Sequence, residues 1–342
     1  MKKSLLALAV LGAFAGVASA QSSVTLYGTV DLNAKYVKND GAQKRYSLSQ
    51  DGINSSQLGF RGIEDLGGGL RAGFVLLSGV NADTGTANAK FWNRRATVSL
   101  LGNFGEVRLG RDYTPTFWNF TIFDAFGTNG LGDSSHVLAP ILTQSTFVRA
   151  DNSIGYFLPS NLGGFYGQAM VASAEGVNTG KYEGGRFGYA AGPFDIAGSY
   201  AESGLPATSN KAKSWNAGGS WDFGVAKLLG YYAEVKGTPP ASNELKQKVF
   251  SLSTVVPIGA GEIHAGWTEG KLSGLPKESK ATQFAIGYVY NLSKRTALYT
   301  TGSWLDNKGV SQNSVAGGSS ITAAPTQGGK SQGVEFGVRH FF

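Results

Sequence analysis

The sequence predicts an all-β fold, an antiparallel transmembrane β-barrel of about sixteen strands. Three observations lead to this prediction. Apolar and polar residues alternate along many runs, short and long connections alternate between those runs, and the mean hydropathy is only −0.10 although 42% of the residues are hydrophobic. This hydropathy is too polar for a helical membrane protein, whereas a barrel wall needs only every second residue to face lipid.

The alternation is clearest in the first run, residues 24–36, which reads VTLYGTVDLNAKY. One face of this run is mostly apolar and the other mostly polar, over more residues than a usual strand of about 5–6. A tilted strand needs about 9–11 residues to cross a bilayer, so the length fits a membrane-spanning strand. Residues 215–223, 282–290 and 334–342 repeat the pattern.

The connections alternate in length along the chain. Short ones, rich in the turn residues Gly, Pro, Asn and Asp, lie at 64–69, 101–105, 159–164, 191–193, 222–224, 257–261 and 291–295. Longer, more polar ones lie near 39–53, 80–90, 113–148, 175–181, 202–211, 237–246, 270–281 and 306–331. An up-and-down barrel with both termini in the periplasm gives this order, whereas a soluble sandwich does not.

The N-terminus predicts export. Lys2 and Lys3 precede an apolar run at 5–17, which ends in the small residues 18–20, Ala-Ser-Ala. These features predict a cleaved signal peptide at residues 1–20 and a barrel domain at 21–342. The chain has no cysteine, so disulfides and thiolate metal sites do not stabilise the exported domain.

Four strings resemble the trimeric general porins of Gram-negative bacteria, of the beta-proteobacterial type. They are SSVTLYGTVD at 22–31, LGFRGIEDLGGGLRAGF at 58–74, FGEVRLGRDYTP at 104–115 and FGVRHFF at 336–342. The resemblance implies a homotrimer in the outer membrane, in contact with its lipids and lipopolysaccharide. It also implies a water-filled channel for passive diffusion of small hydrophilic solutes and ions, with the third loop folded inward as a constriction.

The connection at 113–148 supports an inward loop independently of the resemblance. It contains Phe117, Trp118, Phe120, Ile122 and Phe123. A loop surrounded by water would not need so many apolar anchors, whereas packing against the inner wall would use them. The alternative is a loop that faces lipopolysaccharide or a partner, because long loops usually have a function.

The resemblance also implies the residues of the constriction. Asp124 matches the acidic motif of the family's inward loop, and Arg94 and Arg149 match two arginines of the opposite wall. The family usually has a third arginine where this chain has Gln57. We therefore expect only a weak to moderate preference for anions.

Structural interpretations of these residues remain open at this point. Arg94 and Arg95 are adjacent, so strand alternation predicts that one faces the lumen and the other the outside or the trimer interface. Asp124 could instead cap a short helix within the loop. Arg111 and Asp112 are interpreted as a structural pair at the base of the loop.

Two further features concern assembly. Small polar residues at Thr97, Ser99 and Gly102 are unusual for a lipid-facing surface and are interpreted as part of the trimer contact. The C-terminal Phe342 resembles the signal that the barrel assembly machinery recognises, although the same residues also fit an ordinary last strand.

Other functions find little support in the sequence. The chain has only 3 histidines, without a nucleophile motif or metal-ligand spacing, so we expect no enzyme activity, metal or cofactor. After loss of the two signal-peptide lysines, 28 basic and 23 acidic residues remain. The basic residues are scattered along the chain with no run of five or six, which does not indicate a nucleic-acid partner. A substrate-specific channel for a sugar or an organic anion is the main alternative, because selective filters differ from general ones by few residues.

Overall fold

Most of the chain forms the wall of a closed antiparallel barrel. The computed structural model describes residues 23–139, 145–176, 178–206, 208–240, 242–316 and 323–342. The predicted signal peptide at 1–20 lies outside these residues. None of the helices within the described ranges has the length and apolarity needed to cross a bilayer.

Strand segments follow one another around the wall, each hydrogen-bonded to the next. They are β1 (Ser23–Asn39), β2 (Arg45–Gln50), β3 (Gln57–Gly67), β4 (Leu70–Asn81), β5 (Thr86–Ala87), β6 (Arg95–Gly102), β7 (Gly105–Tyr113), β8 (Arg149–Phe157), β9 (Phe165–Ala172), β10 (Tyr182–Ala191), β11 (Phe194–Gly204), β12 (Lys211–Asp222), β13 (Lys227–Gly237), β14 (Leu245–Ile258), β15 (Gly261–Ser273), β16 (Ser279–Asn291), β17 (Thr296–Gly309) and β18 (Lys330–Phe341). The helices are α1 (Pro115–Ile122) and the 3₁₀ turns Gly130–Gly132, Ser134–Val137 and Asn178–Gly180.

The wall has sixteen strand positions, as predicted. β2 and β3 pair with successive parts of β1 and share one position, while the two-residue β5 pairs only with the end of β4. β1 pairs with β18, which closes the barrel and leaves no free edge. Phe342 extends this seam, since its backbone exchanges two hydrogen bonds of 3.1 Å with Gly28.

The predicted alternation of faces is confirmed along β1. Thr29, Asp31 and Asn33 are buried on the lumen side, whereas Val24 and Leu26 are exposed on the outer face. The outer face is apolar along most strands because it meets lipid, and the inner face is polar because it surrounds the lumen.

Two sequence interpretations are wrong. The connection predicted near 39–53 contains β2, which continues the wall at Arg45–Gln50. Thr97 and Ser99 lie on the inner face of β6, because the residue between them, Val98, is 54% exposed while Thr97 is 6% exposed. The polarity of Thr97 and Ser99 therefore follows from the lumen and does not indicate a subunit contact.

Asp31 holds the segment between β2 and β3 against the inner wall. Its carboxylate accepts the backbone N–H groups of Gly52 at 3.2 Å, Ile53 at 3.0 Å and Asn54 at 2.8 Å. The hydroxyl of Tyr299 donates to the same carboxylate from across the seam. One side chain thus replaces the strand partners that the N–H groups of residues 52–54 lack.

We predict that Asp31→Ala lowers the free energy of unfolding by at least about 2 kcal/mol, because it leaves buried donors without an acceptor. The urea midpoint of the refolded barrel, followed by tryptophan fluorescence, measures this change. Asp306→Ala is the control, because Asp306 is exposed on the outer face. Equal midpoints for the two variants would contradict the assigned role of Asp31.

Candidate functional site

The described residues of the loop at 113–148 lie inside the barrel, which confirms the predicted inward fold. The loop begins with α1, whose first residue, Pro115, fits the first helical position because its missing N–H has no partner there in any helix. Asn119 then binds the inner wall: its amide donates to the carbonyl of Ala197 at 3.1 Å and to Oδ1 of Asn216 at 2.6 Å.

Aromatic side chains anchor the loop to the wall. Phe120 and Phe123 are buried, and the Phe120 ring packs on Tyr231 with 4.4 Å between centroids. The Phe123 ring lies so close to Gly218 that a Cβ at this position would clash with it. Packing against the inner wall thus explains the apolar residues that follow Trp118.

Polar side chains of the wall satisfy the backbone of the second half of the loop. The N–H of Leu131 donates to Oε1 of Glu335 at 3.0 Å, and the amide of Gln283 donates to the carbonyl of Leu131 at 3.0 Å. Glu335 also forms an ion pair of 3.2 Å with Lys35, and both side chains are buried. Because buried backbone groups need partners, these contacts fix the path of the loop.

Asp124 organises the loop from within. Its carboxylate accepts the N–H groups of Phe126 and Thr128, both at 3.0 Å, and the hydroxyl of Ser134 at 2.8 Å. Burial, with a further contribution from Asp133, raises its pKa to about 6, although the N–H donors oppose this rise.

The Asp124 side chain points into the loop and not into the constriction, contrary to the prediction. The side chain is 5% exposed and is not among the residues that line the cavity described below. Asp124 does not cap α1, because it follows the end of that helix, but its carboxylate accepts, at 3.3 Å, the N–H of Ser134, the first residue of the 3₁₀ turn Ser134–Val137. The alternative in which Asp124 caps a short helix of the loop thus has support.

Arg94 and Arg149 meet at the hydroxyl of Tyr113. The oxygen of this hydroxyl accepts hydrogen bonds from Nη2 of Arg94 at 3.1 Å and from Nη2 of Arg149 at 2.7 Å. The guanidinium of Arg149 also lies 4.2 Å from the centre of the Tyr113 ring. The structure therefore brings together the two predicted arginines and adds Tyr113, which the sequence analysis treated only as the start of the loop.

These three residues line a cavity of about 1250 Å³ between the loop and the wall. The cavity is also lined by Phe117, Trp118, Asp133 and His136 of the loop, and by residues 310–314 of the last long connection. Nothing in the periodicity of the sequence marks Asp133, because it lies in a loop where alternation does not apply.

Arg111 and Asp112 do not pair with each other, so that prediction is wrong. Asp112 binds Arg95 at 2.6 Å and also binds Arg108, whereas Arg111 binds Asp151 at 2.7 Å. The two side chains thus bind partners on different strands, Asp112 on β6 and Arg111 on β8, where the register of β7 is shifted.

The prediction that Arg94 and Arg95 face opposite sides is also wrong. β6 begins at Arg95, so Arg94 precedes the strand and alternation does not govern its direction. Both side chains reach the interior, one at Tyr113 and the other at Asp112. Gln57 faces the lumen as well, because it is the cross-strand partner of the buried Thr29, but it does not line the cavity.

The charges in the cavity are not balanced. Within the described chain, neither Arg94 nor Arg149 has a carboxylate within 4.0 Å, and Nε of each lacks a hydrogen-bond partner. Asp133 is the carboxylate among the lining residues. Burial lowers the pKa of His136, although Asp133 opposes this effect, so the ring is neutral near pH 7. Among the lining residues, two arginines thus face one carboxylate, and outside the lining Asp51 lies close enough to Arg94 to interact with its charge.

Residues 7–310 match the family described as Gram-negative porin. The chain belongs to this family. It is 40% identical to outer membrane porin protein 32 of Delftia acidovorans and 31% identical to an outer membrane porin protein of Bordetella pertussis, over 100% of each chain in both comparisons. It also resembles the solved anion-selective porin from Comamonas acidovorans, with a TM-score of 0.86 and 37% identity over 94% of this chain and 100% of that one.

Family membership defines the kind of protein and its location. The chain is an outer-membrane porin, a channel that lets small hydrophilic solutes diffuse passively, and not an enzyme. Among the described residues, no three His, Cys, Asp or Glu side chains form a group that could hold a metal ion.

The raised pKa of Asp124 predicts a pH dependence of the loop. Because the pKa is about 6 in the docked loop and 3.8 otherwise, the docked loop binds the proton more tightly. Docking is therefore most stable below about pH 4 and loses stability as the pH rises through 6. We expect the open-channel current noise of the wild type to increase between pH 4.5 and 7. Asp124→Ala should be noisy at both values, and an unchanged pH dependence in this variant would contradict the assignment.

Proposed function

We propose that this porin has a weak to moderate preference for small anions, set by Arg94 and Arg149 at the constriction. The two guanidinium groups share the Tyr113 hydroxyl and have no carboxylate within ion-pair distance, while Asp133 is the carboxylate among the described residues that line the cavity. The anion selectivity stated for the similar porin from Comamonas acidovorans supports it.

The positive charge of the two arginines is permanent. A guanidinium stays protonated at every working pH, so Arg94 and Arg149 remain positive. In a narrow space with walls of low dielectric constant, a fixed charge acts on a passing ion more strongly than in bulk water. Arg95, Arg108 and Arg111 contribute less, because each forms an ion pair with a carboxylate. Gln57 adds no charge, which keeps the preference moderate.

The dependence of the anion preference on salt concentration also tests whether the two arginines cause it. The Debye length is about 10 Å at 0.1 M and about 3 Å at 1 M, so mobile ions screen the arginines at high salt. The preference for anions should therefore be strongest in dilute potassium chloride and weaken as the concentration rises.

We predict that Arg149→Gln shifts the reversal potential in a potassium chloride gradient toward cations, and that adding Arg94→Gln shifts it further. The matched control is Lys294→Gln, which removes the same charge from an exposed turn residue that does not line the cavity. The control should keep the wild-type potential. If Lys294→Gln shifts the potential as much as Arg149→Gln does, net charge and not the constriction determines selectivity.

A channel specific for an organic anion is the second candidate. The rings of Phe117 and Trp118 lie 5.8 and 5.2 Å from that of Tyr113, so aromatic surface borders the two arginines. Such a site would hold a carboxylate with an apolar skeleton. Conductance that saturates with an organic anion, but rises steadily with chloride, would favour this candidate over general diffusion.

We also propose a homotrimer, whose contact includes a groove on the outer face of β1, β2 and β18. The groove has a volume of about 700 Å³, and the small Ala34 lies between the bulkier Tyr36, Tyr46, Leu48 and Phe336. Tyr46 is 76% exposed and Leu48 61% exposed, so a partner subunit would cover apolar surface here. Side chains of the second subunit would fill the space above Ala34.

Native mass spectrometry in mild detergent tests the trimer. We expect wild-type trimers and a shift toward monomers in Ala34→Trp, which fills the groove. Ala265→Trp is the control, because Ala265 lies on the outer face of β15, paired with the exposed Ile286. Monomers alone in the wild type would contradict the proposal.

Phe342 retains its proposed role in assembly. Its ring packs against Gly28 at the barrel seam, and its backbone continues the pairing of β18 with β1. We propose that the barrel assembly machinery recognises this residue before the seam closes.

A further inference from the structure

A row of lysines crosses the outer face of four adjacent strands. Lys248 of β14 pairs with Lys271 of β15, Lys271 with Lys280 of β16, and Lys280 with Lys308 of β17. We call these four residues the lysine row. Their strand neighbours Val249, Leu272, Ala281 and Asn307 are buried on the inner face, so the lysine row projects outward.

Like charges directly opposite each other in a sheet repel, so such a row needs compensation. Glu269 provides part of it, through an ion pair of 2.8 Å with Lys280. Within the described chain, the other three lysines form no ion pair, and the nearby Asp306 forms none either. The row therefore carries surplus positive charge.

Adjacent strands show what a compensated arrangement looks like. Lys236 and Lys246 share Glu234, with distances of 3.5 and 3.2 Å. Lys211 and Lys213 share Glu202, with distances of 2.9 and 3.7 Å. The outer wall thus supplies carboxylates for lysines on β12 to β14 but leaves most of the lysine row without them.

Aromatic side chains lie below the lysine row on the same face. Each is two or four residues from the lysine of its strand, about 7–14 Å toward the short turns. They are Phe250, Trp267, Phe284 and Trp304, each between 39% and 50% exposed. Aromatic girdles of barrels mark the membrane interface, and long loops lie on the extracellular side. The lysine row, on the loop side of these rings, therefore lies among the head groups of the outer leaflet.

We propose that the lysine row binds the phosphate groups of lipopolysaccharide, whose acyl chains then cover the aromatic residues below. Lysine binds phosphate as a mobile point charge. Four strands about 4.8 Å apart spread the row over roughly 14 Å, which suits a lipid with more than one phosphate. A phospholipid presents one phosphate and would engage only part of the row.

The test compares Lys248→Gln/Lys271→Gln with the wild type. Native mass spectrometry of the detergent-solubilised porin, titrated with purified lipopolysaccharide, measures the bound fraction. We expect the double variant to bind at least ten times more weakly. The control, Lys294→Gln/Arg295→Gln, removes the same charge from a turn at the opposite end of the barrel and should bind like the wild type. Because the lysine row is outside the channel, unchanged conductance verifies that the double variant is folded.

The ligand is varied in the same experiment. Dephosphorylated lipopolysaccharide should bind the wild type as weakly as the intact lipid binds the double variant. Equal binding of the intact lipid to wild type and double variant would overturn the proposal. Equal binding of intact and dephosphorylated lipopolysaccharide to the wild type would also overturn it. Phosphatidylglycerol binding as tightly as lipopolysaccharide would overturn it too, because the lysine row would then be a general site for anionic lipids.

Discussion

A segment that crosses the inside of a barrel must find partners for backbone groups that no neighbouring strand can satisfy. In this porin, buried carboxylates provide many of them. Asp124 accepts the N–H groups at the turn of the constriction loop, Glu335 accepts that of Leu131, and Asp31 accepts three from the segment between β2 and β3. The width of the channel depends on these contacts because they fix the path of the loop.

The engagement of these carboxylates also determines the net charge around the constriction. Asp31, Asp124 and Glu335 are occupied by backbone donors, and Asp112 is occupied by Arg95 and Arg108. Arg94 and Arg149 have no carboxylate within ion-pair distance in the described chain and share the hydroxyl of Tyr113. Selectivity therefore follows from where the carboxylates are engaged as much as from where the arginines lie. The lysine row applies the same principle on the outer face, where surplus charge remains for a ligand to neutralise.

The sequence predicted the structure well where apolar and polar residues alternate regularly, and poorly elsewhere. In β1, a period of two assigns every side chain to a face, so the barrel and its turns followed from the pattern. The pattern fails where strands are irregular. Arg94 precedes β6, and the register of β7 shifts between Gly110 and Asp112, where Gly110 has a φ of +121° that favours glycine. Asp124 was misplaced because its direction depends on a loop turn, which leaves no periodic signal.

An anion site formed by Arg94 and Arg149 in the channel should bind bromide as it binds chloride. Diffraction from crystals grown in bromide, collected at the bromine absorption edge, locates bound bromide. We expect an anomalous peak within contact distance of both guanidinium groups in the wild type and no peak there in Arg94→Gln/Arg149→Gln. Bromide peaks elsewhere in the lumen, with none beside these two arginines, would contradict the assignment of this site.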